Sequence, residues 1–502
     1  MTDPARVPLA RWIVRGALLF ALAFANLNDI WSPDVVPNTL MVWSLIREHD
    51  VDFDEFVAVP DRPLRTPPLA VSPEIPRDSY FFRACGLPRG SVTYPASFPR
   101  SPGGPPPPGP GDQVCSIFPP GISLLALPIL APFVLLDPGA SDGALLIRAG
   151  HAAAALIETI AALLLWSVVR RFTSARWALT LVLLYWLATS VRTVSSQALW
   201  QHAGVHLSLA VGLWLVLHER AVSWRREILG GLALGFGIVV RQTTAIAALG
   251  ISGGGHRRLG WPIVSPERWR SSLVFLGGVG LGAIPLLVYD QVAFGSPFEQ
   301  GYGSKPFDGT ALSGLYGLLL SPSRGLLIYE PWVVAGLAAL ALAWRRSGHV
   351  AERLRTISLA WLVLLFAYAA YAEWWGGRVF GPRFLDDLAP ALVVALAWGI
   401  GQGILSRTWA RLAFAAGAAW SLLLFNAAAL VYDPNGWDTV PTNVNFEPAR
   451  LLVWSDPQWL AVLRSLASAD LRTVAAAALS AAVITLLLRM EILAGKCCKT
   501  VD

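Results

Sequence analysis

Apolar segments of about 17 to 25 residues recur from one end of the chain to the other. Each is long enough to cross roughly 30 Å of hydrocarbon, where a backbone must satisfy its own polar groups and therefore forms helix. Charged residues make up only 14% of the 502 residues, compared with roughly a quarter in a soluble domain. The sequence therefore predicts an all-α polytopic membrane protein.

Short clusters of Arg and Lys separate the apolar segments, for example at 168–177, 219–227 and 344–355. Such clusters usually face the cytoplasm, and consecutive clusters leave room for one outward and one returning helix. This spacing predicts about twelve spans with both termini in the cytoplasm. The clusters also account for the net charge of +6, so the charge does not indicate a nucleic-acid partner. The predicted spans begin near residues 10, 145, 176, 203, 227, 242, 272, 326, 357, 388, 410 and 472.

This topology places four polar stretches outside the cytoplasm: 28–143, 289–325, 372–387 and 432–471. Within the first of them, "SPGGPPPPGPGD" (101–112) cannot form helix or strand and predicts a linker. The apolar stretch 117–136 begins with a Pro pair, and counting it as a span would invert every later basic cluster. We therefore expect a helix along the outer membrane surface there. The chain divides into a catalytic membrane module over 1–400 and C-terminal membrane helices over 401–502.

Two cysteines, Cys85 and Cys115, lie in the long first outward loop. If that loop faces an oxidising compartment, a disulfide between them would order a segment rich in Pro and Gly. Two free thiols remain the alternative.

Polar and aromatic residues collect where the predicted helices meet the outer membrane boundary. Asp29 and Asp34 follow the first span, and arginines occur at the ends of several later ones. Each has an ordinary explanation, because Asp34 could cap the helix that follows it, while Arg and Trp commonly lie at membrane interfaces. Their convergence at one face is what indicates a site, and an outward cavity lined by arginines and a carboxylate suits an anionic lipid phosphate.

A run of acidic residues, "EHDVDFDEF" (48–56), allows two interpretations. Alternating Asp50, Asp52 and Asp54 could share one face of a strand and hold a hard divalent cation. A solvated acidic loop is the interpretation that we favour. The sequence contains no Walker A, HExxH or GxSxG pattern, so ATP hydrolysis, zinc proteolysis and serine hydrolysis have no visible apparatus.

The order of these features resembles the GT-C superfamily of glycosyltransferases that use polyprenyl-phosphate sugars. The resemblance is to the branch of protein mannosyltransferases and the lipid A aminoarabinose transferase, and it covers nearly the whole chain. "SPDVVPNT" after the first helix matches the catalytic Asp segment, "FPPG" (118–121) a Lys/Tyr-Pro-Pro stretch, and "IRAG" (147–150) the Arg that starts helix two. Further matching stretches are "SSQALWQH", "GSPFEQGY", "SPSRGLLIYEP", "WWGGRVFGPRFLDD" and "LLVWSDPQWL".

The resemblance implies a GT-C fold and an enzyme of the bacterial cytoplasmic membrane whose active site faces outward. Asp34 takes the place of the catalytic carboxylate, and Asp29 is a weaker candidate, because Val35 stands where many relatives carry a second acid. A sugar would pass with inversion from a polyprenyl-phosphate donor to a lipid, glycan or protein acceptor. No cofactor is required by this chemistry, and a divalent cation at the acidic run stays open. The donor phosphate would contact Arg148, Arg241, Arg324 and Arg383, and the sugar or acceptor pocket would include Trp200, His202, Tyr302, Trp374, Trp375 and Asp387.

Two other classes of function remain open from the sequence. A secondary transporter or lipid flippase would fit the number of spans and the buried Glu158 and His151. An enzyme resembling O-antigen ligases or polymerases would work with Arg and His residues such as Arg383 and His202, and would not need the Asp of the first loop.

Overall fold

The structure is a computed structural model, and most of its described residues are helical. It describes residues 8–28, 32–57, 75, 79–86, 108–109, 111–136, 143–217, 223–252, 266–302 and 309–497. Its α-helices are α1 (Leu9–Phe24), α2 (Val36–Arg47), α3 (Gly121–Leu136), α4 (Gly143–Val169), α5 (Ala175–Leu187), α6 (Gln201–Val216), α7 (Trp224–Val240), α8 (Thr244–Ser252), α9 (Pro266–Phe294), α10 (Ala311–Leu320), α11 (Leu326–Tyr329), α12 (Val333–Ala343), α13 (His349–Ala370), α14 (Ala389–Gly401), α15 (Thr408–Val431), α16 (Gln458–Ala467) and α17 (Leu471–Cys497).

Every predicted span start lies inside a helix or within two residues of one. Among the described residues, four helices are long and apolar enough to cross a membrane by themselves: Leu145–Val169, Trp269–Phe294, Thr408–Val431 and Leu471–Glu491. The prediction of a helical membrane protein is therefore confirmed. The count of twelve spans, their orientation and the division at residue 400 stay predictions.

Helix α14 lies in the centre of the helical core, and all its side chains from Ala389 to Gly399 are buried. It packs against α4, α5, α6 and α12. A helix that is apolar on every side is either buried among other helices or faces lipid, and these four helices bury α14. Because a 3₁₀ turn, Leu385–Leu388, leads directly into α14, the central helix also fixes the position of that turn.

Helices α7 and α9 approach closely through glycines on both partners. A Cβ atom on Gly235 of α7 would lie 2.2 Å from the Val279 carbonyl oxygen, and one on Gly282 of α9 would lie 2.3 Å from the Leu232 carbonyl oxygen. In a bilayer, helix association depends on van der Waals packing, which small residues allow by bringing two backbones together.

We expect Gly235→Leu to lower the free energy of unfolding by about 1–3 kcal/mol, because the new side chain would force α7 and α9 apart. Gly280→Leu is the matched control, since a Cβ at Gly280 meets nothing within 4 Å. Thermal unfolding of the two purified variants in the same detergent measures the difference. Equal transition temperatures for both variants would contradict this account of the helix pair.

The stretch predicted as a surface helix forms α3, which begins at Gly121 directly after Pro119 and Pro120. A Cβ on Gly121 would lie 2.4 Å from the backbone nitrogen of Val240 at the end of α7, so only glycine permits this approach. The helix is confirmed, and its location along the membrane surface stays a prediction. Residues 101–107 of the predicted linker lie outside the described residues.

The chain between α2 and α3 contains a two-stranded antiparallel sheet of β1 (Phe82–Ala84) and β2 (Val114–Ser116). A disulfide joins Cys85 to Cys115 beside it, with Cα atoms 5.1 Å apart, which is one of the two alternatives that the sequence leaves open. The sheet corrects the all-α prediction, because strands of three residues are too short to show an alternating pattern. Together the ladder and the disulfide hold residues 79–86 in a defined position.

Candidate active site around Asp34

Asp34 lies in a 3₁₀ turn, Pro33–Val35, that leads into α2. Its side chain does not cap that helix, whose N-cap residue is Val35 and has no side-chain cap. The carboxylate instead accepts hydrogen bonds from three distant parts of the chain. The donors are the Tyr80 hydroxyl, the Trp200 indole N–H at 3.4 Å and an Arg383 guanidinium nitrogen at 3.2 Å. The capping interpretation of Asp34 is therefore wrong, and the residue is the centre of a tertiary cluster.

The donors on Asp34 are positioned by neighbouring secondary structure. Tyr80 belongs to the turn that enters β1, where the Phe82 N–H donates to the Ser79 carbonyl at 2.9 Å. Trp200 directly precedes α6. The Asn38 side chain of α2 donates to the Leu199 carbonyl at 2.9 Å, which ties the helix after Asp34 to the residue before Trp200.

Arg383 reaches Asp34 because the segment 372–387 folds back through glycine turns. Gly376, Gly377 and Gly381 have φ values of +72°, +82° and +78°, in the left-handed region that other residues avoid. Arg383 itself is 12% exposed and forms a salt bridge with the 24% exposed carboxylate of Asp34.

The surroundings of Asp34 favour its ionised form. Burial raises the pKa of the carboxyl, but the positive charge of Arg383 and the hydrogen bonds from Tyr80, Arg383 and Trp200 outweigh burial and lower the pKa below its ordinary value of 3.8. Asp34 is therefore a carboxylate at neutral pH, which is the form that can accept a proton.

A second carboxylate, Asp387, lies in the 3₁₀ turn before α14. One oxygen is 2.6 Å from His202 Nδ1 on α6, and the other accepts a hydrogen bond from the Tyr368 hydroxyl at 3.2 Å. Arg241, at the end of α7, forms a salt bridge with Asp387 at 3.5 Å and lies 3.2 Å from the His202 ring nitrogens. Three elements, α6, α7 and α13, therefore bring side chains to Asp387, which is 4% exposed.

The ring of Phe384 connects the two clusters. The guanidinium carbon of Arg241 lies 5.0 Å from the ring centroid and that of Arg383 lies 5.5 Å from it, within cation–π range. Tyr368 stacks on the ring, with centroids 4.7 Å apart. Two arginines that the resemblance assigns to the donor phosphate thus lie against one side chain, and each is paired with a different carboxylate.

Tyr302 lies beside both clusters. Its hydroxyl donates to Gln201 Oε1 at 3.4 Å. Burial raises the pKa of Tyr302 to about 12, although the charges of Arg241 and Arg383 lower the pKa. The preceding Gly301 allows this placement, because a Cβ there would lie 2.2 Å from the Ile117 carbonyl oxygen.

Other predicted residues lie elsewhere. Arg148 is exposed on α4, and Asp29 lies outside the described residues. Arg324 is 1% exposed and donates to Asp438 and Gln458 at 2.7 Å each, so this guanidinium joins three distant parts of the chain. A contact of Arg324 with the donor phosphate stays a prediction.

Trp374 and Trp375, in the segment 372–387, have packing roles. Trp374 and Trp375 meet edge to face with centroids 5.9 Å apart, and Trp375 donates to Asn445 Oδ1 at 3.1 Å. A Cβ on Gly317 would lie 2.4 Å from the Trp374 ring. These contacts fix the segment 372–387 against α10 and the 432–457 region. They thereby help to hold Arg383, which lies in the same segment, in position.

Two aspartates of the acidic run accept hydrogen bonds from backbone groups of the loop. Asp52 accepts the Asp54 backbone N–H at 3.2 Å, and Asp54 accepts the Val114 backbone N–H at 2.9 Å. Within the described part of the chain, no three His, Cys, Asp or Glu side chains are grouped as metal ligands. Asp52 and Asp54 instead bind the backbone of the loop, which favours the solvated-loop interpretation over Asp50, Asp52 and Asp54 as ligands.

Three residues of the site were missed from the sequence: Tyr80, Tyr368 and Phe384. Tyr80 stands five residues before Cys85, and the predicted disulfide was the one signal that this segment is ordered. Tyr368 and Phe384 resemble interfacial aromatic residues, which are common at helix ends in membranes. Nothing in the sequence distinguishes them from that background.

The chain was compared with known proteins. No protein-family model and no curated protein matches it. Among solved structures, it is similar to ArnT from Cupriavidus metallidurans bound to undecaprenyl phosphate, with 12% identity over 97% of this chain and 77% of that one and a TM-score of 0.44. It is also similar to the Archaeoglobus fulgidus oligosaccharyltransferase tethered to an acceptor peptide with the NVT sequon, with 13% identity over 90% of this chain and 59% of that one and a TM-score of 0.42.

Proposed function

We propose that the chain is a membrane glycosyltransferase that moves a sugar from a polyprenyl phosphate to an acceptor hydroxyl on the extracytoplasmic face. The observation that carries this proposal is the pairing of Asp34 with Arg383, 3.2 Å apart, beside a second arginine, Arg241, on the same Phe384 ring. One carboxylate and two guanidinium groups are what such a transfer needs in one place.

In the proposed reaction the acceptor oxygen attacks the anomeric carbon from the face opposite the phosphate, so the configuration inverts. Asp34 takes the proton of the acceptor hydroxyl as the new C–O bond forms. The old bond between the anomeric carbon and the phosphate oxygen breaks, and the lipid phosphate leaves with the electron pair. Arg383 and Arg241 stabilise the negative charge that collects on this phosphate.

In the absence of donor, Arg383 is paired with Asp34, and donor phosphate can replace Asp34 as the partner of Arg383. A lipid phosphate that enters between the arginines competes with Asp34 for Arg383, because guanidinium binds phosphate and carboxylate through the same planar donors. Once Arg383 has turned to the phosphate, the force that lowers the pKa of Asp34 weakens. The carboxylate then becomes a stronger base at the moment when donor is bound.

The test is a comparison of envelope components from three strains, one with the chain, one without it and one with Asp34→Asn. Mass spectrometry of lipids, glycans and glycoproteins measures the mass of any added sugar. We expect one glycosylated product in the first strain and its loss in the other two. Identical profiles in all three strains would remove the proposal.

A second candidate comes from the contact of 2.6 Å between His202 Nδ1 and Asp387. A His oriented by a carboxylate is a familiar general base, and Arg241 beside it suits an enzyme resembling O-antigen ligases. Full activity in Asp34→Asn together with loss in His202→Ala would favour this candidate over the first.

A further inference from the structure

The carboxylate of Asp34 has two differently occupied oxygens. Oδ2 accepts from Arg383 at 3.2 Å and from Trp200 at 3.4 Å, whereas Oδ1 accepts from the Tyr80 hydroxyl. The Oδ2 side leads to Phe384 and Arg241, where the proposed function places the donor phosphate. The Oδ1 side is therefore the side left for a second substrate.

The groups on the two sides also differ in how they are anchored. Trp200 is 6% exposed and directly precedes α6, and Arg383 is held by the turn that leads into the buried α14. Tyr80 is less buried and belongs to a loop turn outside any helix. Moving the loop turn that carries Tyr80 leaves the helical core intact, whereas moving the backbone at Trp200 or Arg383 would disturb the starts of core helices.

The Tyr80 hydroxyl makes the contact that an acceptor must make. It is a neutral O–H that donates to the carboxylate oxygen, and a general base needs its substrate proton within hydrogen-bond reach of that oxygen. A cationic amine would be opposed at this position by Arg383, whose guanidinium already lies on the other oxygen of the same carboxylate.

We infer that the acceptor site lies on the Oδ1 side of Asp34 and takes a neutral hydroxyl, which replaces the Tyr80 hydroxyl when acceptor binds. The inference rests on the proposed function and assigns the acceptor side and the acceptor class within it. Tyr80 is then a positioning residue that covers the base until acceptor arrives. It also excludes water, so that the donor is not hydrolysed between turnovers.

The first test measures access to Asp34 without any substrate. The protein in detergent is treated with a water-soluble carbodiimide and glycine ethyl ester, and peptide mass spectrometry follows labelling of Asp34, with the exposed Asp456 as internal reference. We expect Tyr80→Ala to speed labelling of Asp34 at least fivefold, and Tyr316→Phe, a change of a hydrogen-bonded tyrosine on α10, to leave it unchanged. An unchanged rate in Tyr80→Ala overturns the inference.

The second test separates acceptor from donor. The donor is the polyprenyl-phosphate sugar fraction extracted from cells that carry the chain, and the acceptor is their delipidated envelope glycan. We expect Tyr80→Phe to lower the acceptor KM severalfold, to leave the donor KM unchanged and to release more free sugar into water when acceptor is omitted. A change in kcat alone, with both KM values and the free-sugar release unchanged, overturns the acceptor assignment.

The outcomes separate this inference from the function on which it rests. If wild type transfers sugar and Asp34→Asn does not, while Tyr80→Phe leaves the acceptor KM and the hydrolysis unchanged, only the acceptor assignment fails. If wild type transfers nothing from a donor fraction that contains lipid-linked sugar, both the proposed function and the acceptor assignment fail.

Discussion

Asp34→Asn is expected to lower the rate of sugar transfer by about 10²–10⁴-fold, the usual contribution of a general base. Asparagine has nearly the same shape as aspartate, and its single oxygen can still accept from the donors on one side, either Tyr80 or Trp200 and Arg383. Its amide cannot take the acceptor proton at neutral pH. Initial rates of transfer from the extracted donor fraction, measured by mass spectrometry, give the size of the loss.

The matched control for this prediction is Asp456→Asn, which also removes an aspartate from an arginine. Asp456 pairs with Arg450 at 3.0 Å and is 45% exposed, so its loss is expected to change stability by about 1 kcal/mol or less and transfer hardly at all. Both variants are compared at equal amounts of folded protein. Full transfer by Asp34→Asn would refute the role of Asp34 as base.

The helical framework follows from hydropathy, because the cost of an unpaired backbone in hydrocarbon leaves a long apolar segment few alternatives. That constraint determines which segments are helical. The site residues Asp34, Trp200, Arg241 and Arg383 lie just outside the helices or in the turns that lead into them. The constraint does not determine which helix ends meet. Arg324 and Arg383 are equally plausible phosphate ligands in the sequence, yet Arg324 pairs with Asp438 and Arg383 with Asp34.

Tyr80 illustrates a different limit. Its position depends on two strands of three residues and on a disulfide that spans 30 residues, and no local pattern encodes that pairing. Sequence periodicity reports which face of an element is buried. It carries no information on a loop that is ordered by a few long-range contacts.

Glu158 was the residue in the sequence that most favoured transport. The structure places its carboxylate 2.6 Å from His206 Nδ1 and within reach of the Tyr185 hydroxyl at 2.7 Å. His206 also contacts the Asp386 carbonyl oxygen at 2.9 Å, the residue before Asp387. The buried Glu158 therefore has a structural explanation. The hydrogen bonds from Glu158 to His206 and from His206 to the Asp386 carbonyl support the turn that carries Asp387.

Arg383→Gln is expected to lower transfer by about 10²–10³-fold, the usual loss when one donor to a developing negative charge is removed. The donor KM should rise more than the acceptor KM, because the guanidinium faces the proposed phosphate side. Arg378→Gln is the matched control, since Arg378 lies in the same segment and donates to Asn435 at 3.1 Å and to Thr439 at 3.4 Å. Equal increases of the two KM values in Arg383→Gln would count against a phosphate role.

The same variant has a signature in its pH dependence. Burial raises the pKa of Asp34, and the charge of Arg383 is the largest of the influences that lower it. Without Arg383 the pKa therefore rises, and protonation removes the base at a higher pH than in wild type. The acidic limb of kcat/KM is thus expected to move to higher pH in Arg383→Gln, to stay in place in Arg378→Gln and to move little in Arg383→Lys, which keeps the charge. If the rate falls in Arg383→Gln but the acidic limb stays in place, a group other than Asp34 sets that limb. Asp34 would then lose its assignment as the base, although Arg383 could still be a phosphate ligand.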